Sequence, residues 1–142
     1  MNFFLKNWLS RGPSSRTPLI RYTELNGIFY ILTGLFLFFL PKVPSNFGRF
    51  PPLQGQEEGL VRLIGFSLSI IGYFYYFGAR THQKSFALST IVDRLILVPL
   101  FFSILLIFDL IDKNFILGLF ILDPLLALGA LYLWTKEPKE DS

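Results

Sequence analysis

The chain has 142 residues and a formal net charge of +3, enough for one domain and, with its basic residues unclustered, a poor match to nucleic acid. Its hydrophobic fraction is 52% and its charged fraction 16%, with 17 Phe; a soluble domain carries roughly 25% charged residues, and a bilayer accepts the apolar excess that a small soluble core cannot bury. Cysteine is absent and His82 is the single histidine, which excludes disulfides, thiolate metal sites, thiol redox chemistry, S-acylation and a bis-histidine haem within the chain.

In chain order, "MNFFLKNWLS" comes first. Its apolar run is too short for a signal-peptide core and no small-residue cleavage site follows. Phe4, Leu5, Trp8 and Leu9 share a helical face. That face suits an interfacial helix, and a frayed tail is the competing reading. Residues 1–20 are then a tail, with "SRGPSSRTP" as its linker.

Four hydrophobic segments follow, and a span needs about 20 apolar residues. They cover about 24–40, 59–79, 86–109 and 115–134. The first is short and can borrow Leu19, Ile20 and Tyr22. Pro41 stops it. Pro99 and Pro124 fall inside the third and fourth, where neighbouring helices can satisfy the carbonyls that a proline frees. The expected fold is all-α: an integral membrane bundle of four transmembrane helices, one domain over 1–142. Residues 41–58, rich in proline, form the long loop, either a plain connector or a lid.

Lys and Arg in the connections set orientation. Lys6, Arg11, Arg16, Arg21, Arg80, Lys84, Lys136 and Lys139 lie on one side, and only Lys42, Arg49 and Lys113 on the other. Eight against three places both termini in the cytoplasm, the protein in the cell membrane and residues 41–58 outside. Tyr73, Tyr75, Tyr76, Tyr132 and Trp134 lie near span ends, where an aromatic belt sits.

The third segment contains "TIVDRLILVP", with Asp93 and Arg94 inside an apolar helix. A charge at mid-bilayer costs about 2.5–3.5 kcal/mol by insertion scales, so it needs a partner or a wet cavity. At about 1.5 Å per residue, Arg94 and Asp123 come within roughly 6 Å of one level on antiparallel neighbours. They are expected to pair. Asp93 falls on a stripe with Ser85 and Ser89, and Arg94 lies with Thr90. In the second segment Arg62, Gly65, Ser69, Gly72 and Tyr76 recur at helical spacing, a seam of small residues with Arg62 able to reach towards Asp123. Gly27 and Gly34 mark the first segment, and Glu24 at its end has Arg21, Arg80 or Lys84 as candidate partners.

The candidate binding residues are therefore Arg62, Ser69, Tyr76, Ser89, Asp93, Arg94 and Asp123. They either line a polar pocket for a lipid- or quinone-like ligand or pin the register of the helices. No P-loop, GxGxxG or metal-ligand cluster occurs, so no cofactor, metal or catalytic set is expected. An aspartyl-protease pair of Asp93 and Asp123 lacks the flanking glycines, and Arg94 would favour ionisation of both carboxylates. The expected function is a non-enzymatic membrane protein: a scaffold, an assembly factor with a membrane-protein partner or a second copy, or a small-molecule binder. The alternative is a proton-coupled transporter. Four-helix dimeric exporters resemble the chain in size but place a glutamate deep in the first span, whereas Glu24 sits at the boundary. In span number and an Arg62-bearing second span the layout also resembles DoxX-like proteins and the ergosterol-biosynthesis scaffold family, with no shared motif from which a function or residue follows.

Overall fold

Thr17 starts the first helix. Its hydroxyl accepts from the Ile20 amide at 3.3 Å, and Pro18 occupies the first turn, where its missing N–H is no loss. In the computed structural model, which describes residue 12 and residues 15–46, 52–110 and 113–137, this helix, α1, runs Pro18–Phe39. The cap explains why it begins earlier than the hydrophobic segment. It ends where Pro41 follows, after one helical residue fewer than expected. A single turn, Val43–Asn46, comes next. The proposed interfacial face of Phe4, Leu5, Trp8 and Leu9 lies outside the described residues.

The second helix, α2, spans Gln56–Ala79 with Glu57 and Glu58 in its first turn, where the helix dipole favours negative charge. A tight turn through His82, at φ 57, leads into α3, which occupies Lys84–Ile107. It closes in a Schellman-type turn: Asp109 takes a positive φ and Leu110 donates to the Leu105 carbonyl at 2.9 Å. The last helix, α4, covers Lys113–Thr135 and contains Pro124.

All regular structure among the described residues is helical, with no strand. Helices α1, α2 and α3 are each long and apolar enough to cross a membrane, and the described apolar part of α4 is Ile121–Thr135. Large apolar side chains such as Phe39, Phe74, Phe101, Ile107 and Leu125 are exposed. Exposed apolar surface on every helix suits contact with lipid tails rather than water.

Helix α3 is not regular. Asp93–Leu97 forms a π-turn between two α-helical halves, closed by the Val98 amide bonding to the Asp93 carbonyl. Pro99 explains it. Proline has no N–H to give and its ring crowds the carbonyl four residues back, here Leu95. Widening the turn by one residue relieves both demands, and such bulges are frequent at functional sites.

Helices α1 and α2 are antiparallel and pack most closely. A Cβ at Gly72 would lie 2.6 Å from the Gly27 carbonyl oxygen, and one at Gly65 would lie 2.6 Å from that of Gly34. The small-residue seam expected in α2 therefore meets the two glycines of α1 directly. At the end where α1 begins, Leu19 packs with Ala87 and Ile91 of α3 and Ala130 of α4. The same end carries the α2–α3 turn, onto which Gly12 is fastened by its amide to the Arg80 carbonyl at 2.8 Å. This is the tail end of the bundle, and the end beyond Phe39 is the loop end.

Candidate functional site

Tyr30 of α1, Tyr75 of α2, Asp93 and Arg94 of α3 and Asp123 of α4 meet between the helices. Tyr30 donates its hydroxyl to Asp123 Oδ1. Tyr75 donates to Asp93 Oδ2 at 2.8 Å. The two tyrosine rings touch edge to face, with centroids 5.6 Å apart. Arg94 is only 1% exposed. Its Nε donates to the Thr90 carbonyl at 2.9 Å and Nη2 to the Thr90 hydroxyl at 3.2 Å. Its guanidinium lies 5.4 Å from the Tyr75 ring centroid, a cation–π contact. Nη1 is buried with no hydrogen-bond partner among the described residues.

The pairing of Arg94 with Asp123 expected from depth does not form. The two lie within electrostatic range, but among the described residues the ion pairs are Arg16–Glu24, Lys42–Glu58, Arg62–Glu58 and Lys84–Glu137. The reason is local chemistry. Thr90, one turn before Arg94, offers a carbonyl and a hydroxyl to the guanidinium, and Tyr30 offers Asp123 a hydroxyl. Each charge meets a neutral group before it reaches its opposite, and of the Arg94 nitrogens Nη1 alone is left over. Each carboxylate also has its own tyrosine, which is not the geometry of two carboxyls sharing a proton.

Of the seven candidate residues, Asp93, Arg94 and Asp123 come together. The others do not join them. Arg62 turns to the loop end, donating to the Phe38 carbonyl at 2.6 Å and to Glu58 Oε1 at 2.8 Å. Phe38 lies in the last turn of α1, where carbonyls lack helical partners, so Arg62 closes that end instead of descending to Asp123. Ser69 sits in the α1–α2 seam, donating to the Gly65 carbonyl at 3.0 Å and, across the seam, to that of Ile31 at 3.4 Å. Tyr76 lies near the tail end and accepts from Arg80 Nη1 at 3.2 Å. Ser89 is exposed and donates to the Ser85 carbonyl at 2.8 Å. Glu24 pairs with Arg16 and not with Arg21, Arg80 or Lys84, and it is buried.

Two members of the cluster, Tyr30 and Tyr75, are not among the sequence candidates. Its position near a span end assigns Tyr75 to the aromatic belt, yet it is buried, whereas Tyr73, Tyr132 and Trp134 are exposed. A signal does exist. Tyr30 stands three residues after Gly27, and Tyr75 three after Gly72, so both lie beside the glycines of the closest helix contact.

Comparison with known protein families, with curated proteins and with solved structures finds no match. The likeness to DoxX-like and ergosterol-scaffold proteins remains one of layout.

Proposed function

We propose that the chain is a multi-pass membrane protein with four spans and both termini cytoplasmic, and that it works without catalysis by binding a lipid- or quinone-like molecule at the Tyr30–Tyr75–Asp93–Arg94–Asp123 cluster. The observation that carries this reading is Arg94: a buried guanidinium close to two carboxylates that leaves one nitrogen without a partner. A purely structural lock gains most when such a charge is fully paired, because a buried unsatisfied donor costs about 1–3 kcal/mol. Intramembrane ionisable groups are functional by default, and an orphaned donor among them points to a ligand. α4 counts as the fourth span because its 23 residues would reach about 34 Å as a straight helix.

Native mass spectrometry of the protein purified in mild detergent tests the binding. A bound small molecule is expected on the wild type and is expected to be lost from Arg94→Gln, while circular dichroism stays helical. Equal occupancy of both proteins, or none on either, removes the reading in favour of a scaffold. Transport has one feature in its favour: two Tyr–Asp pairs joined by the Tyr30–Tyr75 contact place proton-bearing groups on all four helices. Proteoliposomes carrying a pH gradient would then dissipate it faster than empty vesicles, and Asp123→Asn would abolish the difference.

Orientation is tested separately. The chain has no cysteine, so single cysteines report cleanly. A cysteine at Gln54, exposed beside α2, is expected to react with an impermeant thiol reagent in intact cells. One at Gln83, exposed in the α2–α3 turn, is expected to react only after lysis. The reverse pattern inverts the topology.

A further inference from the structure

Two features of the molecule bear on what the cluster would hold. The first is charge. One guanidinium stands close to two carboxylates, Asp93 and Asp123. Even with one carboxylate protonated the group has no surplus positive charge. A phosphate or carboxylate head group would add a buried charge with nothing to compensate it, which is strongly unfavourable. The hydroxyls of Tyr30 and Tyr75 are already donating to the two aspartates. What remains to be satisfied is a donor, Arg94 Nη1, and its natural complement is an uncharged acceptor oxygen.

The second feature is where the helices part. At the tail end α1, α3 and α4 share one core: Leu19, Ala87, Ile91 and Ala130 are buried together. At the loop end α1 and α2 stay joined, through Gly34 and Gly65 and then through Arg62 on the Phe38 carbonyl. The outer half of α3, Val98–Ile107, has no buried residue, and its packing partners are α4 and the π-turn. Outward from the cluster Val98–Ile107 therefore packs on α4 and not on the α1–α2 pair, and it presents apolar side chains that no described helix buries.

Resting on the binding function proposed above, we infer that the ligand is a neutral lipophile with a carbonyl oxygen, of quinone or glyceride-ester type. The carbonyl accepts from Arg94 Nη1 and the tail lies between α1 and Val98–Ile107. An anionic phospholipid head group is excluded from the site.

The experiment measures thermal shifts of the detergent-solubilised protein with three probes: a decyl-substituted benzoquinone, dioctanoylglycerol and dioctanoyl phosphatidylglycerol. At least one neutral probe is expected to raise Tm saturably and the anionic probe is not; which neutral probe binds distinguishes a quinone from an ester source. Arg94→Lys keeps the charge but loses the guanidinium fork, and is expected to weaken the neutral probe about tenfold or more. Should that variant fail to fold, Thr33→Trp serves. Thr33 is half-buried one turn outward from Tyr30 on α1 and is outside the polar cluster; a bulky ring there is expected to abolish the shift by occupying the tail's space. Neutralising both acids, Asp93→Asn with Asp123→Asn, leaves the Arg94 charge unopposed and is expected to admit the phosphatidylglycerol probe, whereas Asp93→Asn alone leaves no surplus positive charge and is expected still to reject it. If phosphatidylglycerol binds the wild type as well as the neutral probes do, or if the double variant still rejects it, the charge selection is wrong. If no probe binds while an Arg94-dependent molecule still co-purifies, the neutral-carbonyl assignment falls and the binding function stands. If nothing co-purifies either, both fall.

Discussion

Gly72→Leu is expected to melt well below the wild type, or to aggregate on extraction. A Cβ at this position would lie 2.6 Å from both the Gly27 carbonyl oxygen and the Ile31 amide nitrogen. Both are backbone atoms of a helix and cannot rotate aside. Overpacking of a tight contact costs typically about 1–3 kcal/mol, and here α1 and α2 must separate along the seam, so the upper end is expected. Gly59→Ala is the control. It lies in the first turn of α2 with nothing within 4 Å of a Cβ, and replacing an unconstrained helical glycine stabilises by about 0.4–1 kcal/mol. Thermal denaturation of the three proteins in one detergent distinguishes them. Equal melting of Gly72→Leu and the wild type would mean that the two helices do not approach as described.

The second large effect concerns which polar groups meet. Two double-mutant cycles, Tyr30→Phe with Asp123→Asn and Tyr75→Phe with Asp93→Asn, are each expected to show coupling of about 1–2 kcal/mol. That range reflects hydrogen bonds to charged groups, reduced by the alternative partners that a membrane protein's unfolded state still finds. The crossed combination, Tyr30→Phe with Asp93→Asn, is expected to couple more weakly, through the ring contact alone. Arg94→Gln with Asp123→Asn should also couple less than either tyrosine pair, because no ion pair joins them. Coupling of Arg94 and Asp123 that exceeds both tyrosine cycles would restore the salt bridge expected from their depth.

Arg94 and Asp123 also mark how far the sequence can be read. Depth follows from counting residues, and counting is enough to bring Asp93, Arg94 and Asp123 to one level. The bearing of a side chain around its helix follows from a constant turn angle, and the π-turn at Asp93–Leu97 breaks that constancy at the charged residues themselves. Pro99 announces a disturbance but not its form: a kink and a widened turn are both open to a proline. Ser89 shows a related failure. Its spacing from Asp93 suggests a shared face, but a serine hydroxyl can bond to the carbonyl four residues back, so it has no need of the interior. The glycine seam is more legible because steric contact leaves a mark in composition, small residues at helical spacing. A tyrosine carries no such mark. Near a span end Tyr75 suits the interface and the core equally, and only its place three residues after Gly72 points inward.

The closeness of α1 and α2 also bears on the order in which the molecule can be put together. Chains are made from the N-terminus, and early segments fold first. The glycine contacts that join α1 to α2 involve no later helix. Once that hairpin is in the membrane, Tyr30 and Tyr75 already stand edge to face. Asp93 and Arg94 follow in the third helix and Asp123 in the fourth. The two hydroxyl donors are thus in place before either carboxylate is made, so each acid arrives at a waiting partner.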